Sequence, residues 1–198
     1  GTGNTKWAAE YIAARTGERL VAIADEPQNE CRYTLDDGER IGFCFPVHGW
    51  QPPAIVRRFI RRLVITNPNG HYCFALCTCG DTVGDTISIL NKDLRQRGLH
   101  VTSAFSLVMP ESYVCLPFMY TDSEKREREK ISIAKEQLET FVEEIAELAE
   151  NVKHLKKGPT PCLYSYVIGN FFNSRMITDR PFRVDDNCIS CGLCAKVC

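Results

Sequence analysis

The stretch HYCFALCTCGDTVGDTISILNKDLRQRGLHVTSAFSLVM, residues 71–109, decides the fold class of this chain. It opens on an apolar run of strand length, passes through a loop that contains glycines, and enters an amphipathic helix that Gly98 ends. A second apolar run follows. A strand, a helix and a strand in this order favour parallel pairing, because the helix carries the chain back to the starting edge of the sheet.

The upstream sequence continues this alternation. It predicts a helix over residues 5–17, strands over residues 19–24 and 40–46, and a helix over residues 54–64. The loop between the last two contains FPVHGWQPP, whose final prolines exclude it from a helix. We therefore expect an α/β protein with a doubly wound parallel sheet and helices on both faces.

The segment from Ser123 to Leu155 lacks glycine and proline and predicts a helix of about 50 Å. Its apolar positions form one stripe: Leu138, Phe141, Val142, Ile145, Leu148, Val152 and Leu155. We interpret it as the last helix of the domain, packed on the sheet by that stripe. A coiled coil or a partner-binding helix is the alternative. GPTP at 158–161 ends the helix.

The composition restricts the class of protein. The chain has 198 residues, 44% of them hydrophobic, and a formal net charge of −1, whereas a nucleic-acid binder needs a basic excess. No apolar run approaches the roughly 20 residues that span a bilayer, and no secretory signal pattern is visible. Eleven cysteines in a chain with this much core indicate reduced thiols in a cytoplasmic protein. Most of those at positions 31, 44, 73, 77, 79, 115 and 162 are predicted to be small buried residues.

The end of the chain carries the strongest chemical signal. CISCGLCAKVC spaces Cys188, Cys191, Cys194 and Cys198 as C-x2-C-x2-C-x3-C. Thiolates are the ligands of iron–sulfur clusters, and two-residue gaps let one loop hold three corners of a cluster. A zinc site is disfavoured, because it uses a longer spacer between pairs or a histidine.

The same spacing indicates whether the iron–sulfur module ends within this sequence. In bacterial two-cluster ferredoxins the fourth cysteine of such a run binds the other cluster. Cys188, Cys191 and Cys194 would then need a ligand from beyond this sequence, unless Cys198 closes the cluster itself. We expect the ferredoxin module to continue after Cys198.

The opening loop GTGNT, residues 1–5, precedes a helix without forming a known nucleotide fingerprint. It lacks the Gly-Lys-Ser/Thr end of a Walker loop and the third glycine of a Rossmann loop. A loop rich in hydroxyl and amide groups at a helix N-terminus suits a phosphate monoester, which accepts hydrogen bonds from backbone N–H groups and hydroxyls.

GTGNT resembles the FMN phosphate loop of flavodoxins, whose second half Thr2, Gly3, Asn4 and Thr5 match. With the FPVHGWQPP and CGDTVGD turns and FRVDDNCISCGLCAKVC, the whole chain is similar to the EFR-type family of anaerobic bacteria and archaea, in which a flavodoxin-like domain is fused to a bacterial-type ferredoxin. The resemblance implies a flavodoxin-like sheet of order 2-1-3-4-5, whose strand 1 would precede Gly1. It also implies an FMN-binding domain over residues 1–157, a connector over 158–180 and the start of the ferredoxin module over 181–198.

The cofactors that the resemblance implies are FMN and, in the complete protein, two [4Fe–4S] clusters. The residues implied for FMN are Thr2, Gly3, Asn4, Thr5, Pro46, Val47, His48, Gly49, Trp50, Cys79, Gly80 and Asp81. The cluster ligands are Cys188, Cys191, Cys194 and Cys198, and no catalytic residue is assigned.

Several of these positions have a second interpretation. Trp50 either stacks on the flavin ring or closes its loop as an aromatic plug. His48 either donates a hydrogen bond to the flavin or is merely solvated. Cys77 and Cys79 face one side of their strand, as a redox pair or as buried thiols.

Three functions follow from this sequence. The first is an electron-transfer flavoprotein that passes electrons between FMN and [4Fe–4S] clusters and meets redox partner proteins, without nucleic acid or a membrane span. The second is a flavin oxidoreductase that acts on a small substrate with electrons supplied by ferredoxin. The third is a flavodoxin-fold protein that no longer binds FMN.

Overall fold

The structure is a computed structural model, and it describes residues 3–111, 113, 120–178, 180 and 183–197. Its main sheet has four parallel strands in the order β2-β4-β5-β6. The strands are β2 (Ile41–Pro46), β4 (Cys73–Cys79), β5 (Ser103–Val108) and β6 (Lys153–His154). The parallel pairing and the α/β class predicted from the sequence are confirmed.

Helices cover both faces of this sheet. They are α1 (Asn4–Thr16), α2 (Ala54–Arg62), α3 (Thr86–Arg95) and α4 (Glu124–Ala146). α2 and α3 pack on one face, where a first core forms, and α1 and α4 pack on the other, where a second core forms. The alternation of strand side chains between the faces produces this division.

Strand β4 shows that alternation most fully, since all seven of its residues are buried. Ala75 and Cys77 belong to the first core, whereas Phe74 and Leu76 belong to the second. A strand buried on both faces is the expected centre of a parallel sheet, which accounts for its near-continuous apolar sequence.

A second, two-stranded parallel sheet pairs β1 (Cys31–Tyr33) with β3 (Leu63–Ile65). Strand β3 follows α2 directly. The buried residues of this sheet, Cys31, Leu63 and Ile65, belong to the first core. The sequence analysis did not predict this sheet. Three-residue strands are too short for an alternation pattern to be recognised.

The strand predicted over residues 19–24 is not formed. These residues are irregular chain that leads into a turn, with Leu20 and Val21 exposed. Among the described residues, no strand pairs with the edge of β2 that faces away from β4. A strand requires a neighbouring backbone to satisfy its hydrogen bonds, and no strand of the described residues pairs with residues 19–24.

The long helix is shorter than the sequence predicted. α4 ends at Ala146, and Leu148 and Asn151 have positive φ angles of 55° and 62° that no helix accommodates. The first part of the predicted stripe is correct, because Leu138, Phe141, Val142 and Ile145 are buried. The prediction for Leu148, Val152 and Leu155 is wrong, since the chain turns after α4 to form β6.

Residues 163–176 form one continuous helical segment, here called the arm helix. It consists of two π-helical stretches, Leu163–Ile168 and Phe172–Met176, on either side of the α-helical turn Gly169–Phe171. A short helix, α5 (Leu193–Val197), follows in residues 183–197, here called the cysteine segment. In the part of the chain that the structure describes, no helix has the length and apolar character needed to cross a membrane.

Candidate functional site

The carboxyl end of the sheet brings together the segments that were predicted to bind FMN. Pro46, the last residue of β2, lies beside Thr78 of β4, so the loops after these two strands are neighbours. The N-terminus of α1 reaches the same edge, where the hydroxyl oxygens of Thr5 and Thr78 are 2.6 Å apart. Ligands of open parallel α/β sheets bind at this edge.

The start of α1 offers backbone donors. Gly3 precedes the helix with a φ of 92°, and neither a side-chain cap nor an acidic residue occupies the first turn of the described helix. Its first N–H groups, at Asn4 and Thr5, therefore keep the partial positive charge of a helix N-terminus. This donor set fits a phosphate monoester. Thr2 lies outside the described residues.

The loop after β2 makes a tight turn at residues 48–51. The backbones of His48 and Gln51 exchange two hydrogen bonds, of 3.0 and 3.1 Å, while Gly49 and Trp50 between them have positive φ angles of 53° and 55°. Val47 donates its N–H to the carbonyl of Thr78 at 2.8 Å, which fixes the loop to the central strand. Burial lowers the pKa of His48 below its ordinary value, so the ring is held neutral.

Trp50 connects the two loops. Its indole N–H donates to the Thr82 hydroxyl at 3.1 Å, and its ring packs against Tyr164 with centroids 4.7 Å apart. These contacts correspond to the aromatic-plug interpretation of this residue. A ring inserted between the loops would have to replace them.

The loop after β4 carries charged side chains. Lys130 donates to the Gly80 carbonyl at 2.8 Å and pairs with Asp122 at 2.6 Å, while Asp81 pairs with Lys156 at 3.0 Å. A side chain at Gly80 would clash with the carboxylate of Glu111. The backbone of Gly80 is therefore covered on its Cα side by a carboxylate.

The cysteines of β4 are inert thiols. Cys77 and Cys79 are buried, and each donates weakly to a carbonyl of β5. Burial raises the pKa of Cys79 to about 12 and raises that of Cys77 well above its ordinary value. Because the thiolate is the reactive form, neither residue has the character of a redox centre.

The arm helix lies over both loops. Ser165 accepts a hydrogen bond from the Asp85 N–H at 2.7 Å and donates to the Trp50 carbonyl at 2.9 Å. Gln51 donates to the Ser165 carbonyl at 2.6 Å and to the side chain of Asn170 at 2.7 Å. The stretch predicted as a connector thus contributes side chains to this edge of the sheet.

The implied FMN fits this edge only in part. The phosphate would meet the free amides at the start of α1, but the ring would meet the Trp50–Thr82 contact and the arm helix. Two small cavities lie elsewhere: one of about 130 Å³ beside Trp7 and Leu138, and one of about 70 Å³ beside Ile12 and Phe74. Both are below the roughly 300 Å³ at which small-molecule pockets begin.

The cysteine segment offers the donor set of an iron–sulfur site. Cys188, Cys191 and Cys194 are free and exposed, and Ser190 and Gly192 between them have positive φ angles of 54° and 72°. Among the described residues, no three ligand side chains are gathered around one point. Cys198 lies outside the described residues. The type and spacing of the three thiols fit a [4Fe–4S] cluster.

Sequence reasoning missed the residues of the arm helix at this edge. Ser165, Gly169 and Asn173 recur at every fourth position, which places them on one face of the helix. They are small or polar, so an analysis of apolar periodicity passes over them. The spacing of these small residues, opposite a face of large apolar ones, could have indicated from the sequence that they pack closely against the domain.

No protein-family model, curated protein or solved structure matches this chain.

Proposed function

We propose that this chain is an electron-transfer protein in which Cys188, Cys191 and Cys194 hold a [4Fe–4S] cluster and the carboxyl edge of the sheet binds FMN. The observation that carries the proposal is the C-x2-C-x2-C spacing with three exposed, unpaired thiols. FMN exchanges one or two electrons and a cluster exchanges one, so the pair converts between two-electron and one-electron chemistry.

The topology supports a flavodoxin-like assignment for the sheet. The order β2-β4-β5 corresponds to strands 3-4-5 of that fold, and α1 with α4 lies opposite α2 with α3. Under this assignment the FMN phosphate would lie at Gly3, Asn4 and Thr5. The ring would lie between the turn at residues 46–50 and the turn at residues 79–81.

The cluster is tested by reconstitution. The full chain is incubated with ferrous iron and sulfide under anaerobic conditions, and bound iron, bound sulfide and visible absorbance are measured. We expect Cys188→Ser and Cys194→Ser to lower the bound iron, because each removes a thiolate ligand. Cys162→Ser is the matched control, since Cys162 is also exposed but lies outside the motif. Equal iron loading in all variants would contradict the assignment.

A second candidate function is a protein of the same fold that does not bind flavin. The contact of Trp50 with Thr82 and Tyr164 favours it, because the ring that would stack on the flavin already packs against the protein itself. Titration of FMN with the full chain distinguishes the two. Quenching of flavin fluorescence that saturates supports the first function, and its absence up to millimolar FMN supports the second.

A further inference from the structure

The arm helix is held to the domain by small and polar residues and by the rings of Tyr164 and Phe172, and none of its apolar side chains is fully buried. Of residues 163–176, only Ser165 and Gly169 are buried. Four of its large apolar side chains point to solvent and are 48–60% exposed: Leu163, Tyr166, Val167 and Phe171. Burial of apolar surface is the main source of packing free energy, so this helix is attached less firmly than α1 to α4.

The hydrogen bonds that hold the arm helix all lead to the two loops of the candidate site. Ser165 bonds to Trp50 in one loop and to Asp85 in the other, and Gln51 bonds back to the arm. Asn173 adds a bond to the His48 carbonyl at 3.2 Å. The helix therefore spans from one loop to the other instead of packing on either alone.

The fit between the helix and the loops leaves no space for a third group. A side chain at Gly169 would clash with the carbonyl oxygen of Gly49, and a side chain at Gly84 would clash with the Ser165 hydroxyl. The arm helix thus closely approaches the backbone of both loops, at Gly49 in one and at Gly84 in the other. A planar ligand cannot enter between the loops while the helix is in place.

We propose that the arm helix is a displaceable strap, which closes the crevice between residues 47–51 and 80–85 and lifts when the FMN ring inserts against Trp50. This inference rests on the proposed function, because it takes FMN as the ligand of that crevice. The crevice lies at the carboxyl ends of β2 and β4, where ligands of parallel α/β sheets bind. The observed FMN affinity would then be the intrinsic affinity reduced by the fraction of molecules whose strap is open.

The strap is tested by variants of the arm that leave both loops unchanged. Gly169→Leu introduces a clash with Gly49, and Ser165→Ala removes the bonds to Trp50 and Asp85. Both favour the open state, so we expect FMN to bind about tenfold more tightly to each. Val167→Ala, on the exposed face of the same helix, is the matched control and should bind FMN as the wild type does.

Hydrogen exchange of the full chain provides a readout that does not depend on affinity. If the strap lifts, adding FMN to the wild-type protein speeds amide exchange over residues 163–176. Exchange over β4 should not change. Circular dichroism of each variant shows whether it is folded. If Gly169→Leu does not fold, Ser165→Ala, the milder change, still tests the proposal.

The outcomes separate this proposal from the proposed function. Equal or weaker FMN binding by folded strap variants, or slower exchange of the arm with FMN bound, means that the arm is a fixed part of the site and overturns the strap alone. No FMN binding by any variant, including those whose arm exchanges rapidly, overturns both the strap and the flavin half of the proposed function.

Discussion

His48 lies in the loop after β2, and its neighbours affect both the hydrogen bonds of its backbone and the pKa of its side chain. Its backbone is paired with Gln51, and its carbonyl accepts a bond from the arm helix. The residue is more than a third exposed, but partial desolvation still lowers its pKa, because the charged imidazolium is disfavoured away from water. The folded loop therefore favours the neutral form of the ring.

We predict that protonation of His48 destabilises the protein in mild acid. Its folded pKa is below the ordinary value of 6.5, so the unfolded chain binds more protons in the window just below pH 6.5. Stability then falls as the pH is lowered through that window, and the fall is small because the residue is exposed to solvent. Urea unfolding at several pH values should show a flatter dependence for His48→Gln than for the wild type. His100→Gln, which changes an exposed histidine, is the control.

We predict that Thr5→Ala weakens FMN binding. A hydroxyl donor to a charged phosphate contributes about 1.5–3 kcal/mol, so the Kd should rise roughly tenfold to a hundredfold. Thr16→Ala is the matched control, because Thr16 lies at the other end of α1 and donates to the Ile12 carbonyl of its own helix. Unchanged FMN affinity in Thr5→Ala would show that the phosphate does not bind at the start of α1.

At the scale of elements, α4 is fixed by packing along one face and by contacts at its C-terminus. Phe141 packs against Phe105 of β5, with ring centroids 4.8 Å apart. Arg40, which pairs with Glu18, donates to the Ile145 carbonyl at 2.9 Å and so satisfies one of the free carbonyls at the helix end. The helix ends where the chain must turn to place β6 beside β5.

We predict that Phe141→Ala lowers the free energy of unfolding by about 3–5 kcal/mol, since it removes a buried aromatic ring and leaves a cavity. Ile133→Ala on the same helix should cost less than about 1 kcal/mol, because Ile133 is 49% exposed. Chemical denaturation of both variants measures the difference. A similar loss in the two would mean that α4 is held by something other than its buried stripe.

At the scale of the whole molecule, the two candidate cofactor sites belong to different kinds of structure. The FMN edge is built on a sheet with a core on each face, whereas Val184, Ile189 and Leu193 of the cysteine segment are 60–83% exposed. The segment thus contributes little to either core. Under the proposed function, its folding would depend on binding the cluster, as the folding of small metal-binding modules does.

We predict that the two sites can be emptied separately. Cys191→Ser should lower bound iron and sulfide after anaerobic reconstitution, while FMN affinity and the thermal unfolding of the domain stay as in the wild type. Absorbance, iron assay and flavin titration on the same sample measure this. Loss of FMN binding together with iron would show that residues 1–157 and 181–198 do not form independent units.

Much of the fold could be predicted because its signals are local. The apolar run at residues 73–79 and the helical spacing at residues 86–95 follow from the two periodicities of protein backbone, and they placed β4 and α3 correctly. The run at residues 19–24 has the same local signal but forms no strand, since pairing depends on a neighbour that its sequence does not encode. The candidate site was predicted as the phosphate loop at residues 1–5 and the turns at residues 46–50 and 79–81, without the arm helix that joins those turns.

The parallel α/β class, the faces of the helices and the spacing of the cysteines could be read from the sequence, because each is a pattern among residues close in the chain. Only the tertiary structure decided where α4 ends, which residues surround Trp50 and what covers the two loops. The bond from Gln51 to Ser165 joins residues 114 positions apart. It depends on small and polar side chains, which do not contribute to an apolar periodicity, so their role appears only once the chain has brought them together.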